Sequence, residues 1–217
     1  DAVPGDISRL RELRVLNLGQ NQIASLPAEI GALDHLEMLD LGHNQLAELP
    51  ESLGYLTSLA FLYLSNNRLS GLPSSLRALA GLRYLNLTDN RFQTLPGWIG
   101  DLNSLVELRV YNNALAALPD EVGRLDQLIE LHANRNQIET LPASIGRMSA
   151  LTRLNLQSNH LAELPETFGE LTRLTDLDLR FNRIERLPAG FARLVALETL
   201  DLRANALVDL PDDLANL

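Results

Sequence analysis

Cysteine is absent from the 217-residue chain, so no disulfide bond, catalytic thiolate or zinc–thiolate site can form. Disulfide bonds persist in oxidising compartments and are rare in the cytosol. The absence of cysteine therefore favours a reducing compartment, and we predict a cytoplasmic protein. The first four residues also lack the basic and then apolar segments of a secretory signal.

Lysine is absent too, and all 18 basic residues are arginine, against 28 acidic residues. The formal net charge of −10 repels phosphate groups, which disfavours nucleic acid and anionic membranes as partners. The chain contains no run of 18 apolar residues, so the sequence predicts no membrane-spanning helix. We therefore predict that neither nucleic acid nor a membrane is a partner.

Proline is confined to one position of a pattern that returns every 23 residues, L-x-x-L-x-L-x-x-N-x-L-x-x-L-P, clearest at 82–96. A fixed period of this length predicts a solenoid, in which each repeat stacks on its neighbours. The repeating asparagines are Asn21, Asn44, Asn67, Asn90, Asn113, Asn136, Asn159, Asn182 and Asn205. The ten prolines are Pro4, Pro27, Pro50, Pro73, Pro96, Pro119, Pro142, Pro165, Pro188 and Pro211.

Each repeat predicts one strand, one bend and one helical turn. Leu85 and Leu87 alternate with outward residues, as in a strand with one buried face. Because all repeats run in the same direction, the strands are expected to form a parallel sheet. We interpret Asn90 as structural, since a buried amide can satisfy free backbone groups at the turn. Leu95 and Pro96 predict an extended bend, and the following P-x-x-I-G-x-L segment predicts a helical or 3₁₀ turn.

These residues resemble the leucine-rich repeat family, in the subclass whose outer segment reads L-P-x-x-I-G-x-L. The resemblance covers essentially the whole chain and implies an α/β fold, a right-handed solenoid or horseshoe. A parallel β-sheet would line its concave face, and short helical or 3₁₀ turns its convex face. We expect residues 1–217 to be a single domain of about nine repeats, taken from a longer chain.

The resemblance also implies that the horseshoe binds other proteins, commonly on its concave face. The pattern is similar to that of intracellular Ras-pathway scaffolds and of bacterial leucine-rich repeat proteins, some of which carry kinase, GTPase or ubiquitin-ligase domains. It does not identify the partner, because unrelated members share the framework residues.

A few positions depart from the pattern. Val110 and Ala133 replace larger residues at successive inward positions, so we predict altered packing near Ala133, with Met148 leaning into the space. Arg77 and two alanines stand in the column that otherwise holds glycine. That column is therefore expected to need no positive φ.

The outward strand residues form three columns, and a cluster of aromatic residues occupies neighbouring rungs of them. Exposed aromatic and methionine side chains flanked by arginine have the composition of a binding hot spot. The alternative is that the rings pack on each other and stabilise the sheet. The residues that we predict to contact a partner are Met38, Phe61, Tyr63, Tyr84, Arg109, Tyr111 and His132.

The C-terminal half of the same face is charged instead. Asp178 and Asp201 stack in one column, with Arg180 and Arg203 beside them in the next. We expect a solvated ladder of ion pairs, which contributes little to stability. The alternative is that these charges steer a charged partner.

Trp98 is the only tryptophan, and its column should face solvent on the outer wall. Its ring is expected either to lie flat over neighbouring aliphatic groups or to contact another domain or a second copy.

The sequence predicts no enzyme activity and no metal or cofactor site. It has no glycine-rich phosphate loop and no serine in a nucleophile elbow. The histidines are too dispersed to form a site of two histidines and a carboxylate. They are His35, His43, His132 and His160.

Two functions therefore stay open. The first is a protein-interaction module, with a monomer favoured, that holds a polypeptide on its concave face. The second is the recognition or regulatory arm of a larger signalling enzyme or bacterial effector, with the chemistry outside these residues. A designed array is less favoured, because the framework varies irregularly at Arg77, Val110, Ala133 and Met148.

Overall fold

The fold is that of a computed structural model, which describes residues 3–210. Over this range each repeat contributes one three-residue strand and one short 3₁₀ helix. The strands are β1 (Val15–Asn17), β2 (Met38–Asp40), β3 (Phe61–Tyr63), β4 (Tyr84–Asn86), β5 (Glu107–Arg109), β6 (Glu130–His132), β7 (Arg153–Asn155), β8 (Asp176–Asp178) and β9 (Thr199–Asp201). The 3₁₀ helices are η1 (Gly5–Arg9), η2 (Ala28–Ala32), η3 (Glu51–Tyr55), η4 (Ser74–Ala78), η5 (Gly97–Asp101), η6 (Asp120–Arg124), η7 (Ala143–Arg147), η8 (Glu166–Glu170) and η9 (Phe191–Arg193).

The strands form one parallel sheet in the order β1 to β9. Each strand residue pairs with the residue 23 positions later, so that Leu85 lies beside Leu108. The sheet lines the concave face of a right-handed solenoid, and the 3₁₀ helices form its convex wall. The predicted fold class is therefore confirmed.

The framework asparagines hold each turn to the one before it. The amide of Asn136 donates to the carbonyl oxygens of Val110, Ala133 and Asn134 at 3.1, 3.0 and 3.3 Å. Its side-chain oxygen accepts from the backbone N–H of Leu115 at 3.0 Å. The interior asparagines repeat this arrangement, which satisfies backbone groups that the short strands leave free. The structural interpretation of these residues is therefore confirmed.

The geometry of the convex wall explains why proline and glycine recur at fixed positions of the repeat. Each helix from η1 to η8 follows a proline in the extended conformation, such as Pro119 at φ −69° and ψ 151°. The expectation about φ is confirmed, since no glycine within residues 3–210 has a positive value. Glycine is needed instead for close approach, because a methyl group on Gly123 would lie 2.3 Å from the carbonyl oxygen of Ser144. Ala215 and Pro211, the last members of these two columns, lie outside the described residues.

The wall opens where the glycine column is interrupted. With Arg77 in this column, η4 and η5 lie further apart than the other neighbouring pairs of five-residue helices. Gly123 faces Ser144, 21 residues further along, on the next turn. The same offset places Trp98 opposite Arg77. Trp98 is half-buried and packs against the core, which agrees with a ring lying over aliphatic neighbours. Whether it also contacts another domain or copy stays a prediction.

One continuous apolar core fills the space between the sheet and the convex wall. Met148 and Ala133 both belong to it and are fully buried. The strand register continues unbroken on both sides of Ala133. Met148 is thus not exposed, and the altered packing near Ala133 stays a prediction.

Candidate functional site

The concave face presents the outward columns in the order that the repeat predicts. In the first column, Met38 pairs with Phe61, and Phe61 with Tyr84. In the second column, the neighbours of Tyr63 are Asp40 and Asn86. The sheet therefore brings the predicted residues onto adjacent strands, and their role in binding stays a prediction.

The rings of Tyr63 and Tyr84 form the centre of this group, with ring centroids 4.7 Å apart and planes tilted by 37°. Tilted aromatic pairs at this distance attract one another beyond the effect of burial alone. Both tyrosines are half-buried, whereas 39% of Phe61 is exposed. Within the described chain, no ring contact joins Tyr111 to the tyrosine pair. We name Met38, Phe61, Tyr63 and Tyr84 the aromatic patch.

Arg109 joins the aromatic patch to the acidic residues beside it. Its guanidinium carbon lies 5.8 Å from the ring centroid of Tyr84, within the range of a cation–π contact. Its Nε donates to Oε1 of Glu107 at 2.5 Å. Burial raises the pKa of Tyr84, and the charge of Arg109 opposes that shift without cancelling it. At neutral pH Tyr84 thus carries a neutral hydroxyl, and Arg109 beside the aromatic patch is a paired cation.

His132, the last of the predicted contact residues, lies among acidic side chains. Its Nε2 is 3.1 Å from Oε2 of Glu130 and 3.9 Å from Oε1 of Glu107. One potential ligand atom from each residue lies within 4.8 Å of the others, as in a metal site. However, Arg109 already pairs with Glu107, and Arg153 donates to Glu130 at 2.8 Å. These two cations explain the cluster as an ion-pair network.

The charged ladder predicted for the C-terminal half is present. Arg180 donates to Asp178 at 2.7 Å and lies 3.2 Å from Asp201. Arg203 donates to Asp201 at 2.7 Å. The hydrogen bond from Arg203 holds the pKa of Asp201 below its usual value. Each of these two carboxylates therefore has a guanidinium partner.

Sequence reasoning missed a backbone feature at the edge of this face. The residue before each framework asparagine has a positive φ, between 53° and 57°. Most of these residues are polar, but one is Phe181, with φ 55° and 55% of its surface exposed. A bulky aromatic residue is unusual in this conformation. These residues are Gln20, His43, Asn66, Asp89, Asn112, Arg135, Ser158, Phe181 and Ala204.

Comparison with known families agrees with this architecture. A family model described as a leucine-rich repeat region matches residues 3–82 and 72–156. Two further models, both described as leucine-rich repeat, match residues 164–207 and 150–171. The chain belongs to the leucine-rich repeat family. No curated protein sequence matches this leucine-rich repeat chain.

Three solved structures of longer chains are similar to this chain. A leucine-rich repeat protein of Leptospira interrogans is 33% identical, with a TM-score of 0.96 over 100% of this chain and 55% of its own. The repeat domain of the type III effector XopL is 27% identical, with a TM-score of 0.81 over 94% of this chain and 72% of its own.

The third is the ectodomain of the Arabidopsis thaliana receptor kinase GASSHO1/SCHENGEN3, in complex with CASPARIAN STRIP INTEGRITY FACTOR 2. It is 28% identical, with a TM-score of 0.66 over 98% of this chain and 32% of its own. The leucine-rich repeat chain thus spans about half of the Leptospira protein and a third of the receptor ectodomain.

The family and its neighbours indicate a protein-interaction module. Leucine-rich repeat domains of this kind are typically binding modules without catalytic activity. Among residues 3–210, no helix is long and apolar enough to cross a membrane.

Proposed function

We propose that this leucine-rich repeat chain binds a protein or peptide on its concave face, with the aromatic patch at the centre of the contact. The observation that carries the proposal is the exposure of Phe61 beside the half-buried Tyr63–Tyr84 pair and its arginine. Arg109, Tyr111 and His132 would extend the contact toward β6. Large aromatic residues and arginine contribute most to binding at protein interfaces.

Packing within the sheet accounts for only part of this cluster. The tilted contact explains why Tyr63 and Tyr84 are half-buried. It does not explain why Phe61, and Val15 in the same column, remain exposed on one face. Contiguous exposed apolar surface of this kind is characteristic of interaction sites.

The test is selection of peptides from a random display library on the wild-type chain, followed by measurement of their affinities for variants. Phe61→Ala combined with Tyr63→Ala should weaken binding by at least about tenfold. Tyr55→Ala is the matched control, because Tyr55 is equally aromatic and 68% exposed on the convex wall. Unchanged affinity in a stably folded double variant would refute the proposal.

A second candidate is the recognition arm of a larger cytoplasmic signalling protein, such as a kinase, a GTPase or a ubiquitin ligase. The observation that favours it is the similarity to the repeat domain of a type III effector. In that arrangement the chain would act as a monomeric binding arm, and the chemistry would lie in another domain. Sequencing the complete coding region tests it, and a reading frame without any such domain would exclude it.

A further inference from the structure

A second feature of the concave face is a cavity of about 310 Å³ between β6 and β9. Asn155 on β7, Asp176 on β8 and Thr199 on β9 line it with short outward side chains. Arg153 and His132 border it on the side of the aromatic patch. The depression forms because residues with short side chains follow residues with long side chains along the same columns, in the direction from β6 to β9.

Two of the three aspartates at this cavity have their hydrogen-bonding capacity in use. The guanidinium group of Arg180 donates to both oxygens of Asp178, with shortest distances of 3.0 Å to Oδ1 and 2.7 Å to Oδ2. Asp201 accepts from Arg203 at 2.9 and 2.7 Å, and Arg180 lies 3.2 Å away. Bidentate pairs of this type are the strongest surface ion pairs, so a ligand would not readily displace them.

Asp176 is different. Its Oδ2 accepts one hydrogen bond, from the hydroxyl of Thr175 at 2.8 Å. The nearest cation is Nε of Arg153 at 3.8 Å, too far for a hydrogen bond, and Arg153 donates instead to Glu130 at 2.8 Å. Across residues 3–210, Oδ1 of Asp176 has no hydrogen-bond donor, and 46% of the side chain is exposed. Asp176 is therefore a hydrogen-bond acceptor with spare capacity, at the edge of a cavity.

We propose that this cavity receives a basic side chain, arginine or lysine, of the peptide that the aromatic patch binds. The proposal rests on the proposed function and specifies the partner's chemistry. An ammonium or guanidinium group would complete the hydrogen bonding of Asp176, and its alkyl stem would lie over the floor of the cavity. An apolar side chain would bury Oδ1 of Asp176 without a hydrogen-bond donor, and an acidic side chain would be repelled by the carboxylate.

The spacing of the two contacts on the partner follows from the sheet. Tyr84 lies on β4 and Asp176 on β8, four strand spacings apart in one column. At roughly 4.8 Å per strand this separation is about 19 Å. An extended peptide advances about 3.3 Å per residue, so its aromatic or apolar anchor and its basic residue should be about six positions apart.

The experiment is parallel selection of a random dodecapeptide library on the wild-type chain and on Asp176→Asn. Wild-type selections should be enriched in a basic residue about six positions from an aromatic or apolar one. Asp176→Asn selections should keep the aromatic residue and lose the basic enrichment. For one selected peptide, replacing its basic residue by glutamine should weaken binding to the wild type by about tenfold and leave binding to Asp176→Asn unchanged.

Asp126→Asn is the matched control, because Asp126 is exposed away from the strands and its loss changes net charge equally. Peptides with the aromatic anchor but no basic enrichment would overturn this inference and leave the proposed function intact. Equal enrichment on wild type and Asp176→Asn would also overturn it. Peptides that bind independently of Phe61 and Tyr63, or no enrichment at all, would overturn both proposals.

Discussion

The convex wall and the concave face come from the same repeat, yet they tolerate different residues. On the convex wall, a methyl group on Gly123 would fall within 2.3 Å of the next turn. On the concave face, the first column contains both Phe61 and Asp176 in the same strand register. The wall is constrained because neighbouring turns touch there, whereas outward strand residues meet solvent. Changes in the framework should therefore cost stability, and changes on the concave face should alter binding with little effect on folding.

The largest loss of stability is expected for Asn136→Ala. The change removes four hydrogen bonds and leaves buried backbone groups unpaired, so we expect a loss of about 3 kcal/mol or more. Asn134→Ala, two residues away on the concave face, should cost less than about 0.5 kcal/mol. Urea unfolding monitored by circular dichroism measures both variants, and similar losses for the two would contradict the distinction between framework and face.

A smaller loss is expected for Gly123→Ala. The new methyl group would approach the carbonyl oxygen of Ser144 at 2.3 Å and force η6 and η7 apart, at a cost of about 1–3 kcal/mol. Gly71→Ala is the matched control, because nothing lies within 4 Å of its added methyl group. That variant should be neutral or more stable by up to about 1 kcal/mol. A stable Gly123→Ala protein would show that the wall does not require close contact.

The break in the wall allows a test of coupling between Arg77 and Trp98. If Trp98 fills the space that Arg77 opens, Trp98→Ser alone should lose about 1–2 kcal/mol, since the ring is half-buried. Adding Arg77→Gly should restore the close contact of a regular repeat and recover about 1 kcal/mol of that loss. Chemical denaturation of the two single variants and the double variant measures the coupling, and strictly additive effects would exclude it.

The repeat alone predicted the framework, because each position was read nine times. The parallel register, the structural asparagines and the 3₁₀ wall follow from the periodic leucines, asparagines and Leu–Pro pairs. The distances between neighbouring repeats could not be predicted from this pattern. The presence of Arg77 in the glycine column correctly predicted that the column needs no positive φ. It did not predict that the glycines are in close contact with the next turn.

The candidate site was predicted only in outline. The columns placed Phe61, Tyr63 and Tyr84 on one face. They also contained the signal for the His132–Glu130–Glu107 cluster, since Glu107 and Glu130 share a column and His132 follows two residues later on β6. The cluster has one histidine and two glutamates, so the pattern of two histidines and a carboxylate does not detect it. The side-chain pairing that leaves Asp176 with spare capacity depends on rotamers, which no periodic pattern specifies.

A small gain in stability is expected for Phe181→Asn. Asparagine adopts positive φ more readily than other non-glycine residues, so the change should stabilise the fold by about 0.5–1 kcal/mol. Phe181→Ala removes the ring but not the unfavourable conformation, and it should leave stability nearly unchanged. Thermal unfolding of the two variants separates these effects, and a loss of stability in Phe181→Asn would show that the exposed ring makes a stabilising contact.

The smallest effect is expected in the ion-pair ladder, where Arg203→Gln should raise the pKa of Asp201 toward its usual value. The hydrogen bond from Arg203 is the main cause of the lowered pKa, and Arg180 keeps part of the shift through its charge. Because the folded-state pKa lies below the unfolded one, this pair stabilises the fold above the unfolded-state pKa. Its contribution is lost as the pH falls through the folded-state pKa.

Wild type and Arg203→Gln should therefore differ slightly in stability at neutral pH and converge in acid. Carbon-detected NMR titration of the Asp201 carboxyl group, with urea unfolding at each pH, measures both quantities. Arg183→Gln is the matched control, because it makes the same change in charge at an exposed position outside the ladder. An Asp201 pKa that is the same in wild type and Arg203→Gln would show that the ladder is held by the strands and not by its charges.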